Sequence, residues 1–511
     1  MVHLSPLVLL SSVAGTYGLQ LGLTRHRVPI TGGKQVLRRR GGTFSTFNIE
    51  DTLYAAQFSI GQRPFSFVLD TGSSDLWLHR GDIPVDDPSL GLQYGTLRTN
   101  GSIQYGSGTV SGAVAFAPLN AGDYSVPSQA LLDAVDTTGF DTLYDNGVSG
   151  LMGLSFGGVM ASEVEASLTR AGSPTAGLTA LANVFASDPS GRSFIAFNLG
   201  RDDLDNDTPD GTFSINEVPD TFLAQANTAP ILPAVRNLQA GDLPRWLVSV
   251  DALVLAGKTV PTPSRFPNTP RGSALGLLDT GTSLAFLPAE VVSAIYSSIP
   301  GAFLVQTPDE NVIPDVWLVP CTARMSVSFI FGQQQIFVDP RDLVMTLPFL
   351  FKGANATVCV SAFLSTGSFP LPSHDFQLGD SFLRNAFQIY NYNGNMDFDV
   401  NAPKQPFAQL IPLSQEITDD AQYLAARRAA LVGLPPEADL NDPDLVSALT
   451  DAASTMLGGQ SPGAGSGKPS DGSASSAPKN SKNSSAASVR GSTQWLVAST
   501  IFALGVAALS L

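Results

Sequence analysis

Two aspartates stand out by what surrounds them. Asp70 lies in VLDTGSSDLWL, Val68 to Leu78, and Asp279 lies in LLDTGTSLAFLP, Leu277 to Pro288. Each follows two apolar residues, and each is followed by Thr-Gly, a hydroxyl residue, Ser and an apolar stretch. One Asp-Thr-Gly is an ordinary turn, whereas two copies in one context suggest a pair of carboxyls that work together. Two carboxyls held about 3 Å apart cannot both ionise easily, so they share one proton. The ionised member can take a proton from a water, and the protonated member can give one to a carbonyl. Together they form a general base and a general acid, with neither metal nor covalent intermediate. Gly72 and Gly281 would let each backbone turn sharply and approach its twin. Thr71 and Thr280 could cross-bond the two loops, and Ser73 and Thr282 could donate to the outer carboxylate oxygens. No cofactor and no metal is expected. The four histidines (His3, His26, His79, His374) are too scattered to have metal-ligand spacing.

The elements that must position these loops are strands. From 44 to 413 the pattern is short β-rich runs separated by Gly, Pro, Asn and Asp. The runs include Tyr54–Ile60, Phe65–Leu69, Phe194–Leu199, Trp246–Leu255, Met325–Val338 and Phe387–Phe398. Helical spacing is confined to Pro288–Ile299 and Ala176–Ala186. The chain is therefore mainly β and too long for one sandwich. A second repeat supports a division into two lobes. Gly150-Leu-Met-Gly-Leu154 follows the first Asp-Thr-Gly at an offset similar to that of Phe376-Gln-Leu-Gly-Asp380 after the second. The expected lobes are 41–216 and 217–413, with the crossover near Glu217–Ala229.

With these motifs in place, the sequence resembles the pepsin-like aspartic endopeptidases over about 44–413, and among them the fungal cell-surface type with a lipid anchor. The resemblance implies a bilobal fold with the active site between two β lobes related by a pseudo-twofold axis, and polypeptide substrates. It makes Asp70 and Asp279 catalytic. Gln104-Tyr105-Gly106-Ser107-Gly108 resembles the family's flap hairpin, whose tyrosine lies over the cleft and bonds the tryptophan matched here by Trp77. Trp246, in Pro-Arg-Trp-Leu-Val-Ser-Val, resembles the strand entering the second lobe, and Leu378–Arg384 resembles the closing signature. Cys321 and Cys359 match the second-lobe disulfide. Three departures concern loops rather than the pair of aspartates. The small first-lobe disulfide loop is missing, the stretch from Trp77 to Tyr105 is short, and Ser149 stands where the family often has Asp.

Charge and the chain ends complete the expectation. The 511 residues carry 28 Lys+Arg against 44 Asp+Glu, a net charge of −16. That balance leaves no basic footprint for nucleic acid, and 43% hydrophobic content rules out wholesale disorder. The charge is partitioned: +6 over 1–40, −19 over 41–413 and −3 over 414–511. Leu4–Val13 followed by small residues resembles a secretory signal, assigned to 1–18. A basic prosegment, 19–40, ends in Arg38-Arg39-Arg40, where a processing protease is expected to cut near Arg40. The resemblance implies that this prosegment covers the acidic cleft. Export means oxidising surroundings, in which Cys321 and Cys359 should pair and contribute roughly 4 kcal/mol. It also makes Asn100, Asn206 and Asn355 glycosylation acceptors. Residues 414–457 read as a stalk with helical stretches, and 458–494 as a low-complexity linker. The apolar tail, 495–511, has no flanking basic stop. Asn483 or Ser484, a spacer and this tail together form an anchor attachment signal, with a membrane span or a soluble end as the alternatives. The expected product is a monomer attached to the outer face of the plasma membrane or to the cell wall.

Two other functions were weighed. Gly153-Leu-Ser-Phe-Gly157 matches a serine nucleophile elbow with His374 downstream, but the chain lacks the alternating helices that such an elbow needs. A non-enzymatic homologue on the same fold is disfavoured because both Asp, both Thr and Tyr105 are present.

Overall fold

The computed structural model describes residues 53–449, apart from 96–98, 107, 189, 202–210, 238–242, 268, 307–314 and 368–370, together with the backbone of 42–45 and 47–49. The signal (1–18), the prosegment (19–40) with Arg38–Arg40, Ser107, Asn206, Asn483, Ser484, the linker (458–494) and the tail (495–511) lie outside the described residues. The architecture is mainly β. Helices are short, such as Glu163–Arg170, Ala180–Ala186, Ala289–Tyr296 and Asp420–Ala430.

Each Asp-Thr-Gly sits at the end of a buried strand. In the first half, Arg63–Asp70 ends on the aspartate, the chain turns, and Leu76–His79 leaves. The strand Gly150–Gly153 lies between them, parallel to the first (Gly153 opposite Asp70) and antiparallel to the second (Leu151 opposite Trp77). The second half repeats this arrangement. Phe376–Leu378 lies between Ala274–Leu278, to which it is parallel, and Ala285–Leu287, to which it is antiparallel. This explains why Gly recurs in both inserted segments, because each passes directly against an Asp-Thr-Gly turn. A Cβ on Gly153 would fall 2.4 Å from the backbone of Ser74, and one on Gly379 would overlap the carbonyls of Thr282 and Leu284.

A six-stranded sheet joins the halves, in the order Gly42–Ser45, Gly211–Ile215, Phe194–Leu199, Ala386–Asn391, Phe407–Pro412, Leu232–Pro233. Its central pairing, Ile195 opposite Tyr390, crosses from one half to the other. Above it, Trp246 packs on Phe156, Tyr390 and Tyr392 with ring centroids 4.5, 5.1 and 4.9 Å away. Its Nε1 donates to the Leu154 carbonyl at 3.2 Å, so the strand entering the second half is tied to the first.

Several sequence runs divide where the backbone turns. Met325–Val338 becomes the hairpin Val327–Phe331 and Gln334–Val338, with Gly332 and Gln333 at positive φ. Trp246–Leu255 splits into Leu247–Val250 and Ala252–Leu255. The run from Phe387 stops at Asn391, before a turn with Asn393 and Gly394 at positive φ. The crossover contains the helix Asp220–Ala226, and Phe222 stacks on Phe387 at 4.1 Å.

Cys321 and Cys359 form a disulfide, and the segment after 413 encloses it. The stalk expected over 414–457 is not a free stalk in its described part. Arg427 of the helix Asp420–Ala430 donates to the Cys321 carbonyl at 2.9 Å, and Tyr423 donates to the Ala323 carbonyl at 2.8 Å. Glu437 accepts from the Cys321 amide at 2.7 Å. Leu445 is fully buried among Val305, Leu318, Leu347, Phe349 and Val358. Composition alone missed this packing because its apolar anchors are few and widely spaced. Leu445→Ala should therefore destabilise the protein by about 2–5 kcal/mol, read from denaturant unfolding. An unchanged midpoint would mean that the segment is not part of the folded body.

Candidate active site

The two Asp-Thr-Gly turns meet where the halves join, and a reciprocal set of hydrogen bonds locks them together. The Thr71 amide donates to Thr280 Oγ1 at 3.1 Å, and the Thr280 amide donates to Thr71 Oγ1 at 3.0 Å. In turn, Thr71 Oγ1 donates to the Leu278 carbonyl at 2.8 Å, and Thr280 Oγ1 donates to the Leu69 carbonyl at 2.6 Å. Both threonines are fully buried. Each bond in one half has its counterpart in the other, so the lock has local twofold symmetry.

The lock brings the carboxylates together. A Cβ on Gly72 would fall 2.5 Å from Asp279 Oδ1, and one on Gly281 would overlap the Asp70 carboxylate. Only glycine allows each backbone to lie this close to the opposite acid. Asp70 accepts from the Gly72 amide at 2.7 Å and from Ser73 Oγ. Asp279 accepts from the Gly281 amide at 2.9 Å and from Thr282 Oγ1 at 2.8 Å. Burial, and then the charge of Asp279, raise the pKa of Asp70 well above the usual carboxylate range. The pair therefore keeps a proton at pH values where isolated carboxyls would have lost it.

Symmetry ends at the inserted strands. Where Leu151 packs into an apolar cluster in the first half, the second half has Gln377. Gln377 Nε2 donates to Asp279 Oδ2 at 2.8 Å and to Thr282 Oγ1 at 2.7 Å. Asp279 thus accepts three donors to the two of Asp70. Sequence reasoning gave no role to Gln377, nor to Arg245 in the Pro-Arg-Trp run. An amide within a three-residue buried strand was the available signal for Gln377. For Arg245 it was a cation next to the buried Trp246.

Gln104 and Thr109 close a hairpin whose tip carries Tyr105, and the Tyr105 amide donates to the Gly108 carbonyl at 2.7 Å. The Tyr105 side chain is buried beside Asp75, Asp70, Trp77 and Ser73, and burial holds its hydroxyl neutral. Tyr105 and Trp77 come close enough to interact, but neither the hydroxyl nor Nε1 completes a hydrogen bond of ordinary geometry. Both rings also make edge-on contact with Phe140, at 5.7 and 5.3 Å. Gly106 is at the tip of the same hairpin.

The other candidates separate from this centre. Ser155 Oγ donates to the Pro244 carbonyl at 3.2 Å, while His374 Nδ1 pairs with Ser373 Oγ at 2.8 Å. No serine–histidine couple forms between Ser155 and His374. Asn100 and Asn355 are exposed on strands, open to modification. No cluster of metal-ligating side chains occurs among the described residues.

The chain is similar in sequence to known aspartyl proteases. The family model described as eukaryotic aspartyl protease matches residues 53–172 and 236–397. Major aspartyl peptidase 1 of Cryptococcus neoformans var. grubii is 24% identical over 367 residues, covering 70% of each chain. The vacuolar aspartic protease of Candida albicans is 25% identical over 398 residues, 74% of this chain and 82% of that one. Among solved structures, the aspartic proteinase from Irpex lacteus aligns with a TM-score of 0.49 at 17% identity, covering 73% of this chain and 98% of that one. Because the family's pattern runs over more than half of the sequence and includes both carboxylate-bearing turns, this chain belongs to the eukaryotic aspartyl protease family.

Proposed function

We propose that the protein is an exported aspartic endopeptidase that hydrolyses polypeptides at acidic pH with a water activated between Asp70 and Asp279. One observation carries this reading: two buried carboxylates, locked by Thr71 and Thr280, each with its own donors. The water would lose its proton to the ionised member of the pair, and the scissile carbonyl would receive one from the protonated member. An extended peptide fits beneath the hairpin carrying Tyr105, partly held by main-chain bonds. The basic 1–40 segment and the acidic body support a zymogen held shut by opposite charge and released as carboxylates protonate. The spacer and apolar tail support a lipid anchor at Asn483 or Ser484, which would place the enzyme on the cell surface. The monomeric state, glycans at Asn100, Asn206 and Asn355, and the maturation cut near Arg40 belong to the same proposal.

Asp70→Asn and Asp279→Asn should each lower peptide cleavage by about a hundred- to ten-thousandfold. A statine-type inhibitor should block the wild type, and a serine-directed reagent should leave it active. Full activity in either variant would sink the assignment.

The raised pKa of Asp70 fixes the sign of two pH effects. Activity should fall as pH rises through that pKa, because the shared proton is then lost. The folded state also holds this proton more tightly than the unfolded chain does. The contribution of Asp70 to stability is therefore present below the ordinary carboxylate pKa and is lost as pH rises through the raised value. Melting temperatures of Asp70→Asn and wild type should converge near pH 3.5. At higher pH, up to neutrality, they should diverge in favour of the variant. A difference that does not change with pH would contradict the perturbed carboxyl.

Replacing Arg38, Arg39 and Arg40 together by Ala should leave the larger precursor as the main species on an immunoblot of expressing cells. Normal maturation would reject that cleavage route.

A further inference from the structure

The second-half side of the carboxylate pair is built from polar groups. Arg245 lies close enough to Asp279, Asp70 and Tyr105 to feel the charge of all three. One of its donors, Nη1, bonds the Gly72 carbonyl, which anchors the group to the first catalytic turn. A guanidinium has five N–H donors in a fixed fork. Among the described residues no carboxylate forms an ion pair with Arg245, whereas Arg80, Arg201, Arg265, Arg341 and Arg384 each have an aspartate partner. The residue is partly exposed.

Two further groups line the same side. Gln377 is held against Asp279. His374 is almost fully buried and lies against Gln377. Burial and the nearby cations Arg245 and Arg265 push its pKa down to about 3, so the imidazole is neutral at pH 5.5. Arg265 is already engaged by Asp375 and by the carbonyls of Leu371 and His374. Arg245, held on the Gly72 carbonyl near both acids, has no such aspartate partner among the described residues. The first-half side, by contrast, is lined by Leu151, Trp77 and Phe140 within one apolar cluster.

We infer that Arg245, with Gln377 and His374 beside it, forms a substrate subsite next to Asp279 that selects an acidic side chain flanking the cut. A glutamate or aspartate carboxylate would take the free edge of the guanidinium as a two-point acceptor. The isosteric amide would leave that cation without a charged partner, and a lysine would meet it as a like charge. This rests on endopeptidase action by the Asp70–Asp279 pair.

The test uses the purified protein and fluorogenic peptides in three series, identical except that Glu, Gln or Lys is stepped through each position around one cleavage site. At pH 5.5, one position should show kcat/KM for Glu about tenfold above Gln, with Lys lower still. The ratio should fall toward one at pH 3, where the substrate carboxyl is protonated and Arg245 remains charged. In Arg245→Met the Glu preference at that position should disappear, and in Arg245→Lys it should be partly retained. Equal cleavage of Glu and Gln peptides at every position by the wild type would overturn the inference without any variant. A Glu preference that survives in Arg245→Met would also overturn it. Failure to cleave any series while statine-type inhibitor still binds would count against the subsite alone. Failure of both would count against the endopeptidase reading as well.

Discussion

The structure depends on one unfavourable contact: two carboxylates buried side by side. Left alone they would repel, take up water or drift apart, and nothing in an apolar strand would prevent it. What holds them is the four-bond exchange between Thr71 and Thr280, in which each hydroxyl both accepts from the opposite turn and donates to the strand behind it. The exchange needs both turns in register to within a fraction of an ångström. It explains why the strands entering them are buried, why a third strand is wedged behind each turn, and why glycine stands at 72, 281, 153 and 379. At each of these positions a methyl group would strike the carboxylate or the backbone that the exchange brings close. The shared sheet and the Trp246 cluster then hold the halves in the one arrangement that satisfies the exchange.

Symmetry explains the locking but not the division of labour. A perfectly symmetric pair would share its proton evenly. Here the second acid accepts an extra hydrogen bond from Gln377, while the strand behind the first places Leu151 in an apolar cluster; Arg245 lies near both acids. The two acids titrate as one unit, and burial together with the charge of Asp279 pushes the pKa of Asp70 upward. Two similar turns can thus offer their equivalent carboxyls different surroundings.

The sequence made the repeated elements legible and left the unrepeated ones obscure. Asp70, Asp279, their threonines and their hydroxyl donors could be read because each occurs twice in one context, and that context has a chemical reason. The two halves, the hairpin at Tyr105 and the cysteine pair were also within reach. Gln377 and Arg245 were not, because a single polar residue in an apolar run looks the same whether it is exposed at an edge or aimed at a catalytic acid. The packed segment after 413 was hidden for a different reason. Its helical stretch was legible, but its docking comes from long-range bonds to Cys321, Ala323 and Thr357, which local periodicity does not reveal. The pairing of Tyr105 with Trp77 was expected by resemblance, whereas Phe140, which both rings touch, was not.

Net charge and local charge act over different distances here, and they point in opposite directions. The body is strongly acidic, and at a distance it should attract cationic chains. That attraction fades over about 8 Å at physiological ionic strength. Inside the cleft, water is partly excluded and a contact pair interacts far more strongly than it would at the surface. Several of the basic residues described, Arg63, Arg80, Arg201, Lys352 and Arg384 among them, are engaged with aspartates and help to hold the acidic body together. An arginine without such a partner, facing the reacting centre from a buried stretch, is desolvated and gains no ion pair from the protein itself. A partner that arrives with the substrate would offset that cost only while bound. This is the condition under which binding energy discriminates between peptides rather than stabilising the resting fold.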